Sequence, residues 1–327
     1  MSGTKEILFL EPKFVERVWG GNRLATEFQY HLQSDRIGEC WAVSAHENGE
    51  SVVKRGLYQG KTLSSLWQEH RELFGNIDLD KFPLLVKLID ARETSSIQVH
   101  PDNAYVKAQG LEGLGKTECW YVVDCPENAT LVIGHNAHTK EELSQMVNAG
   151  QWNELLKEVP VKQGDFIQIE AGVLHTIEAG FIVYETQQNS DITYRFYDYG
   201  RKIDGQKREL HIKECLDVTL VPDKTSEKRI ISTQDMVANE MHELICCDSY
   251  QVWKLDVTRP VTIEQKYPFL VMSVLDGEGW IDGAKLCKGE HLILPFGYGK
   301  AQIQGTLKLM MSSVPAQETA GGSGGVR

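Results

Sequence analysis

The chain has 327 residues and a mass of 36.9 kDa, too long for one ordinary core and suited to two domains of roughly 150 residues each. Hydrophobic residues make up 41%, which supplies a sizeable core and argues against global disorder. With 34 basic and 46 acidic side chains the formal net charge is -12, which argues against a nucleic-acid partner, since such binding needs a basic footprint; a small anion held by a few local Lys and Arg stays open.

In chain order, Ile7 to Trp19 reads as an extended segment running into a Gly20-Gly21 turn. Cys40 to Ser44 reads as a strand, closed by the polar loop His46 to Glu50. A short helix is expected over Leu63 to Glu69, capped by Thr62. The apolar run Phe82 to Ile89 reads equally as a strand or as the last buried turn of a helix. From Ser95 the strand signals are dense: Ile97 to His100, Glu118 to Asp124 and Ala129 to Ile133. Thr139 and Glu142 have capping-box spacing ahead of a helix over 140 to 149. A second helix is expected from Gln151 to just before Pro160. Strands return at Phe166 to Ile169, Leu174 to Ile177, Ile182 to Glu185 and Ile192 to Phe196.

A polar boundary is expected between 205 and 235. Beyond it come strands at Tyr250 to Val257, Phe269 to Leu275, Gly279 to Ile281, His291 to Leu294 and Leu307 to Met311. Many short strands spaced by turns point to all-β sandwiches or barrels. The fold expected from this patterning is mainly β, with a few short helices. Residues 1–220 would form the metal-binding domain, 235–315 a second, metal-free one, and 316–327 a flexible Gly/Ser-rich tail. Gly164-Asp165, Ala171-Gly172 and His175 have a counterpart in Gly289-Glu290, Pro295 and Gly297, where Lys300 replaces the histidine. That repeat suggests two related halves of which only the first binds metal.

Seven cysteines without CxxC spacing, two of them adjacent at Cys246-Cys247, read as thiols in a reducing cytoplasm rather than a disulfide framework. Met1 to Phe9 lacks a cationic region followed by a long apolar run, so no signal peptide is expected. No run approaches 18 apolar residues, so no membrane span or membrane partner is expected.

The residues that suggest chemistry lie in the first half. Gln98 and His100 are two apart in an expected strand, so both side chains share one face. Glu118 opens the next long strand, and His175 lies on a third beside a Gly turn. Two imidazoles and a carboxylate suit a divalent first-row ion. A lone His in a strand is more often a hydrogen-bonded structural residue; the shared face with Gln98 and the Gly-Asp…Gly…His turn bring the metal reading level with it. His135 and His138 stand at i,i+3 but in a polar turn, and the remaining histidines lack this context. Lys116 precedes Glu118 by two. Arg195 follows a strand, Arg201 closes Asp198-Tyr199-Gly200-Arg201, and Lys87 is a charge in an apolar run, where a charge wants a reason. Singly these read as surface or salt-bridged residues; beside a metal they suit an anion such as phosphate. Trp19 and Tyr199 offer apolar walls for a sugar, although a core role is the commoner one.

These residues stand in strings that resemble the type I mannose-6-phosphate isomerases in their shorter bacterial form, with two cupin-like domains. The strings are EPKFVERVWGGNR from Glu11 to Arg23, GECWAVS from Gly38 to Ser44 and FPLLVKLIDARETSSIQVHPD from Phe82 to Asp102. They continue with GKTECWY from Gly115 to Tyr121, GDFIQIEAGVLH from Gly164 to His175, and TYRFYDYGR from Thr193 to Arg201. The resemblance covers nearly all of 7 to 315 and implies a mainly β fold of two cupin-like (jelly-roll) β-barrel domains with a few short helices. Glu170 departs from it, standing where many cupin motifs place Pro. The resemblance implies one divalent ion, zinc, held by Gln98, His100, Glu118 and His175. It matches substrate-end residues at Ser96, Lys116, Glu185 and Arg195.

The implied activity is reversible conversion of D-mannose 6-phosphate to D-fructose 6-phosphate through a cis-enediol. Arg195, Glu185 and Lys116 are the catalytic expectations, with Glu185 or a metal-bound water as general base and Lys116 or His100 as alternative relays. Ser96, Lys87, Trp19 and Arg201 are the substrate-binding expectations. The partner implied is a small phosphosugar, and the chain is expected to be a monomer or weak homodimer. Alternatives are an isomerase or epimerase of another sugar phosphate, a non-catalytic sugar-binding cupin, and a metal-dependent dioxygenase.

Overall fold

The computed structural model describes residues 6–203, 205–223 and 229–315. The chain is mainly β, as its patterning indicates, but its strands build open sheets. A seven-stranded sheet runs in the order Ile230–Ser232, Asp165–Ile169, Glu118–Asp124, Phe181–Gln188, Leu84–Ala91, Lys13–Gly21, Ile37–Val43. A five-stranded sheet runs Leu156–Pro160, Thr130–His135, His175–Thr176, Ile97–Val99, Tyr194–Tyr197. A nine-stranded sheet holds the C-terminal strands from His242–Cys246 to Gly299–Ser313, together with Leu8–Glu11 and Val52–Val53 from the N-terminal end. Two two-stranded hairpins complete the set.

The expected closed jelly-roll barrels do not form. Closure requires the two edge strands of a sheet to bond to each other. Here Ile230–Ser232 and Ile37–Val43 end one sheet, His242–Cys246 and Val52–Val53 end another, and neither pair is bonded. The sheets are joined through side chains instead. The five- and seven-stranded sheets bury Trp120, Leu131, Ile167 and Val183 between them. The opposite face of the seven-stranded sheet, with Ala42, Leu88 and Tyr184, packs on the helix Leu63–Glu69 and on Val271 and Ile293 of the nine-stranded sheet. The outer face of the five-stranded sheet is covered by the helices Lys140–Ala149 and Ile212–Val218.

Strand parity then decides where the charges go. In Leu84–Ala91, Leu84, Val86 and Leu88 join the core shared with the nine-stranded sheet, so Lys87 and Ile89 face the five-stranded sheet. Glu39, Glu118 and Glu185 share that facing, because Cys40, Cys119 and Tyr184 beside them point the other way. Across the gap Ile97, Val99, Tyr194 and Phe196 turn outward to the helices, which sends Gln98 and Arg195 inward. The two sheets therefore enclose an apolar core at one end and a charged pocket at the other.

Several local expectations meet the structure directly. The helix Leu63–Glu69 starts at Thr62, whose Oγ1 accepts from Ser65 N at 3.2 Å. The helix Lys140–Ala149 starts at Thr139, which accepts from Glu142 N at 3.1 Å. Phe82 to Ile89 resolves as the strand Leu84–Ala91. Gly164 and Gly289 take positive φ just before their strands, and Gly172 and Gly297 do so just after them, so the two turn signatures recur in both halves. Other expectations are corrected. Gly20 and Gly21 end a strand rather than making a turn. The second helix is one turn, Trp152–Leu155, after which Leu156–Pro160 pairs with Thr130–His135. Gly279 to Ile281 continues the long strand Leu270–Ile281. Apart from these corrections, the stretch 205–235 holds the helix Ile212–Val218, with Cys215 in the core, and the sheet strand Ile230–Ser232. The tail from 316 onward lies outside the described residues. Among the described residues, no helix is long and apolar enough to cross a membrane, and all seven cysteines are free.

Far from the pocket, His291 ties the N-terminal segment to the nine-stranded sheet. Tyr30 Oη donates to Gly289 O at 2.7 Å, so His291 Nε2–H donates to Tyr30 Oη at 2.8 Å and Nδ1 accepts from Ser273 Oγ at 2.8 Å. Burial, then nearby Lys54, pushes the imidazole down from 6.5 to about 3. Above pH 6.5 it is neutral in both the folded and unfolded chain. As pH falls from 6.5 toward 3 the unfolded chain takes up a proton that the folded chain refuses, so stability is lost through that window. Denaturant unfolding at stepped pH is expected to show a slope for His291→Gln shallower by about 1.4 kcal/mol per pH unit in this window.

Candidate metal centre and active-site cavity

Three strands and one loop bring His100, Glu118 and His175 together. His175 pairs with Gln98 across the five-stranded sheet; Glu118 reaches in from the seven-stranded sheet; His100 follows the strand Ile97–Val99, just before Pro101. All three are buried, with ligating atoms within 4.8 Å of one another. His175 Nε2 lies 3.2 Å from Glu118 Oε1, and His100 Nε2 lies 3.6 Å from Glu118 Oε2.

The hydrogen bonds behind the rings settle their tautomers. His100 Nδ1 is 2.9 Å from Ile192 O, and His175 Nδ1 is 2.9 Å from Val173 O. A carbonyl only accepts, so each Nδ1 carries the proton and each neutral ring turns an Nε2 lone pair inward. Burial, then Lys116, holds the His100 imidazole well below its ordinary pKa. Burial works against ionisation of Glu118, but the Lys116 ammonium outweighs it and holds the carboxyl well below the usual range. Both Glu118 oxygens are buried without a hydrogen bond; Lys116 Nζ is 2.6 Å from Oε2 but off the line of one. An imidazole lone pair facing a carboxylate oxygen at 3.2 Å repels it unless a cation lies between them. Separations near ~3.3 Å are also what four ligands at ~2.0–2.1 Å from one tetrahedral ion require. The donor set therefore fits a divalent metal.

The cluster lies behind Gln98 and Lys116, which line a cavity of about 640 Å³. Gln98 Nε2 is 3.3 Å from His175 Nε2, and its Oε1 accepts from Ser96 Oγ at 3.2 Å. Lys116 Nζ donates to His100 Nε2 at 3.1 Å. Burial disfavours the Lys116 charge, but Glu118 and then Glu185 outweigh it and raise its pKa. Glu185 accepts from Lys87 Nζ at 2.9 Å through Oε1 and from Trp120 Nε1 at 2.9 Å through Oε2. Lys87 also donates to Gln187 Oε1 at 2.6 Å. Arg195 pairs with Gln98 in register, and its buried Nε has no hydrogen bond among the described residues. Burial, then Arg208, pushes its guanidinium down to about 10.

Of the site residues expected from sequence, Trp19, Lys87, Ser96, Gln98, Lys116, Glu185 and Arg195 all line this one cavity. Arg201 stands apart from it. Its guanidinium is drawn to Thr94 O at 2.7 Å and to Asp198, so it braces the turn before Ser96. Sequence reasoning passed over Glu39, which accepts from Arg17 Nε at 2.8 Å and Trp41 Nε1 at 2.6 Å. It signalled itself as Lys87 did, as a charge inside a fully buried strand. Arg17, Arg36, Lys202 and Arg208 also line the cavity and carried no such signal.

Comparison with known proteins bears on what this cavity does. Residues 7–112 match the family described as phosphomannose isomerase type I, catalytic domain, and residues 240–314 match the mannose-6-phosphate isomerase cupin domain. Mannose-6-phosphate isomerase ManA of Bacillus subtilis is 45% identical over 94% of this chain and 99% of its own length. The chain belongs to the type I mannose-6-phosphate isomerase family. The mannose-6-phosphate isomerase of Streptococcus mutans is 46% identical over 94% of this chain and 98% of its own. The crystal structure of mannose 6-phosphate isomerase from Bacillus subtilis superposes with a TM-score of 0.87 at 41% identity, covering 94% of this chain and 99% of that one. The chain is thus an enzyme of this family, with a His/Glu/His cluster suited to a metal ion behind the Gln98 and Lys116 wall of its cavity.

Proposed function

We propose that this cavity interconverts D-mannose 6-phosphate and D-fructose 6-phosphate. The observation that carries the reading is the buried Glu118 carboxylate facing two inward Nε2 lone pairs at the foot of a cavity whose wall supplies Glu185, Lys116 and Arg195.

Zinc is the ion proposed, held by His100, Glu118 and His175, with Gln98 as fourth ligand after a half-turn of its amide that lets Nε2 donate to Ser96. Bound there, the ion supplies positive charge to polarise the sugar's O1 and O2. The chain's own residues do the rest. Glu185 takes the C2 proton and returns it at C1; the hydrogen bonds from Lys87 and Trp120 hold it in place. The Arg195 guanidinium steadies the negative charge that develops on the enediol oxygens. Lys116 donates to a sugar oxygen beside the cluster, and Ser96 and Trp19 orient the open chain. The division into a metal-binding domain over 1–220 and a metal-free cupin-like domain over 235–315 is part of the same proposal; the family matches to 7–112 and 240–314 support it. Seven free thiols support work in a reducing cytoplasm. We propose a monomer or weak homodimer.

Metal analysis of the purified chain with a coupled assay for fructose 6-phosphate tests the reading. The expected result is one divalent ion per chain, turnover of mannose 6-phosphate well above that of glucose 6-phosphate, and loss of activity on chelation with recovery on adding zinc. A metal-loaded chain that binds mannose 6-phosphate without turning it over would assign a sugar-binding role instead.

A further inference from the structure

Phe181–Gln188 is the strand that carries Glu185, and Gln187 stands two positions further on, facing the same way. Its neighbours across the sheet are Leu85 on one side and Glu118 on the other. Gln187 is fully buried and does not belong to the cavity wall, so it meets no sugar bound there. A buried amide must have its donors and its acceptor answered, and the partners of this one run through the site.

Those partners settle which way the amide points. Gln187 Nε2 donates to Gln188 O at 2.8 Å and to Ser190 O. A carbonyl only accepts, so both amide hydrogens are spent on the turn that follows the strand. That turn is itself held, by Ser190 N donating to Gln188 O at 2.7 Å and Asn189 N donating to Pro83 O at 2.8 Å. Oε1 is left to face Lys87, whose Nζ donates to it at 2.6 Å and to Glu185 Oε1 at 2.9 Å. Two acceptors on one strand thus seat the ammonium. A third lies on another strand, the Glu39 Oε2 at 4.0 Å, close enough for a lysine freed from Gln187 to reach on its flexible stem.

We propose that Gln187 is a positioning residue for the isomerisation: it holds Lys87 on Glu185, and so fixes the carboxylate that takes the proton, without meeting the substrate. The assignment rests on the reading of Glu185 as general base. A base must lie within hydrogen-bond reach of the proton it removes, and a displacement of about 1 Å can cost on the order of 10²-fold in rate. Without the Gln187 oxygen the ammonium is shared between Glu185 and Glu39, and Trp120 alone still holds the base in place.

The test is a double-mutant cycle in kcat for mannose 6-phosphate, with Gln187→Met, Lys87→Met and the two combined. Each rate is taken per bound metal ion, on chains shown to be folded by circular dichroism. Methionine keeps the length of glutamine and drops the amide. Gln187→Met is expected to lower kcat by about tenfold or more while KM changes by less than about threefold. Added to Lys87→Met, it should lower kcat by less than about a further twofold. A merely structural role gives the same loss in both backgrounds, and that result overturns the proposal, as does wild-type kcat in Gln187→Met. If the methionine variant does not fold, Gln187→Glu carries the same cycle. It keeps the shape and an oxygen facing Lys87, but as a carboxylate it draws the ammonium from Glu185, and its effect on kcat should depend on Lys87 in the same way. A Glu185→Gln control separates this proposal from the reading beneath it. Wild-type turnover there sinks the base assignment, whereas a loss there with additive Gln187 and Lys87 effects sinks only the positioning.

Discussion

Glu118→Gln is expected to strip the metal from the enzyme and lower isomerase turnover by roughly 10³-fold or more. The substitution keeps size and shape and removes one charge, at the residue that both Nε2 atoms and Lys116 face. Without the carboxylate the site keeps only neutral donors beside a cationic lysine, an arrangement that repels a divalent ion. Stability should fall as well. Lys116 is buried, and removing one partner of a buried ion pair costs about 3–5 kcal/mol, because the remaining charge has no water to turn to. The two effects separate in a second variant. Lys116→Met added to Glu118→Gln should recover much of the thermal stability while recovering neither metal nor turnover. Metal content, a coupled assay and thermal unfolding on the same preparations check all three. Full metal occupancy in Glu118→Gln would remove this carboxylate from the ligand set.

Glu185→Gln should leave the metal in place and lower kcat by about 10²- to 10⁴-fold, the span expected on losing a general base. The structure adds a consequence for folding. Both partners of the carboxylate are donors, Lys87 Nζ and Trp120 Nε1. A glutamine offers one oxygen, so its NH2 must face one of them, and an unanswered buried donor costs about 1–3 kcal/mol. Metal content and the circular dichroism of the folded chain must therefore accompany the kinetics. Near-wild-type turnover with metal intact would place the proton transfer elsewhere in the cavity.

Much of this site was legible before any fold was known, and particular residues show why. Gln98 and His100 share a face because a strand repeats every two residues, and Lys87 drew notice because a charge in an apolar run must be answered. The same reasoning applies to Glu39 in the strand Ile37–Val43, which is buried along its length. Arg208 had no comparable signal. It stands in a polar stretch without periodicity, and only the hairpin over Lys202–Ile203 and Gln206–Lys207 brings it to the cavity wall. Arg201 showed the reverse: beside a predicted anion site in sequence, it is turned by Asp198 and Thr94 O to a bracing position. The stretch from Gln151 to just before Pro160 reads as helix, whereas Leu156–Pro160 is a strand. Pairing with Thr130–His135 overrides that local preference, as tertiary contact often does in short segments.

The metal-centre residues stand on different strands, and their assembly marks the division between the two sources of information. Residue type and short-range periodicity alone carry the donor chemistry, the shared face of Gln98 and His100, and the likeness to the family. It took the folded chain to fix that the sheets stay open, that Leu8–Glu11 and Val52–Val53 join the C-terminal sheet, and that one cavity gathers Lys87, Lys116, Glu185 and Arg195 from distant parts of the chain. Those outcomes depend on which strand edges meet and which charges lie across a gap from each other, and such long-range pairings leave no period in the chain to read.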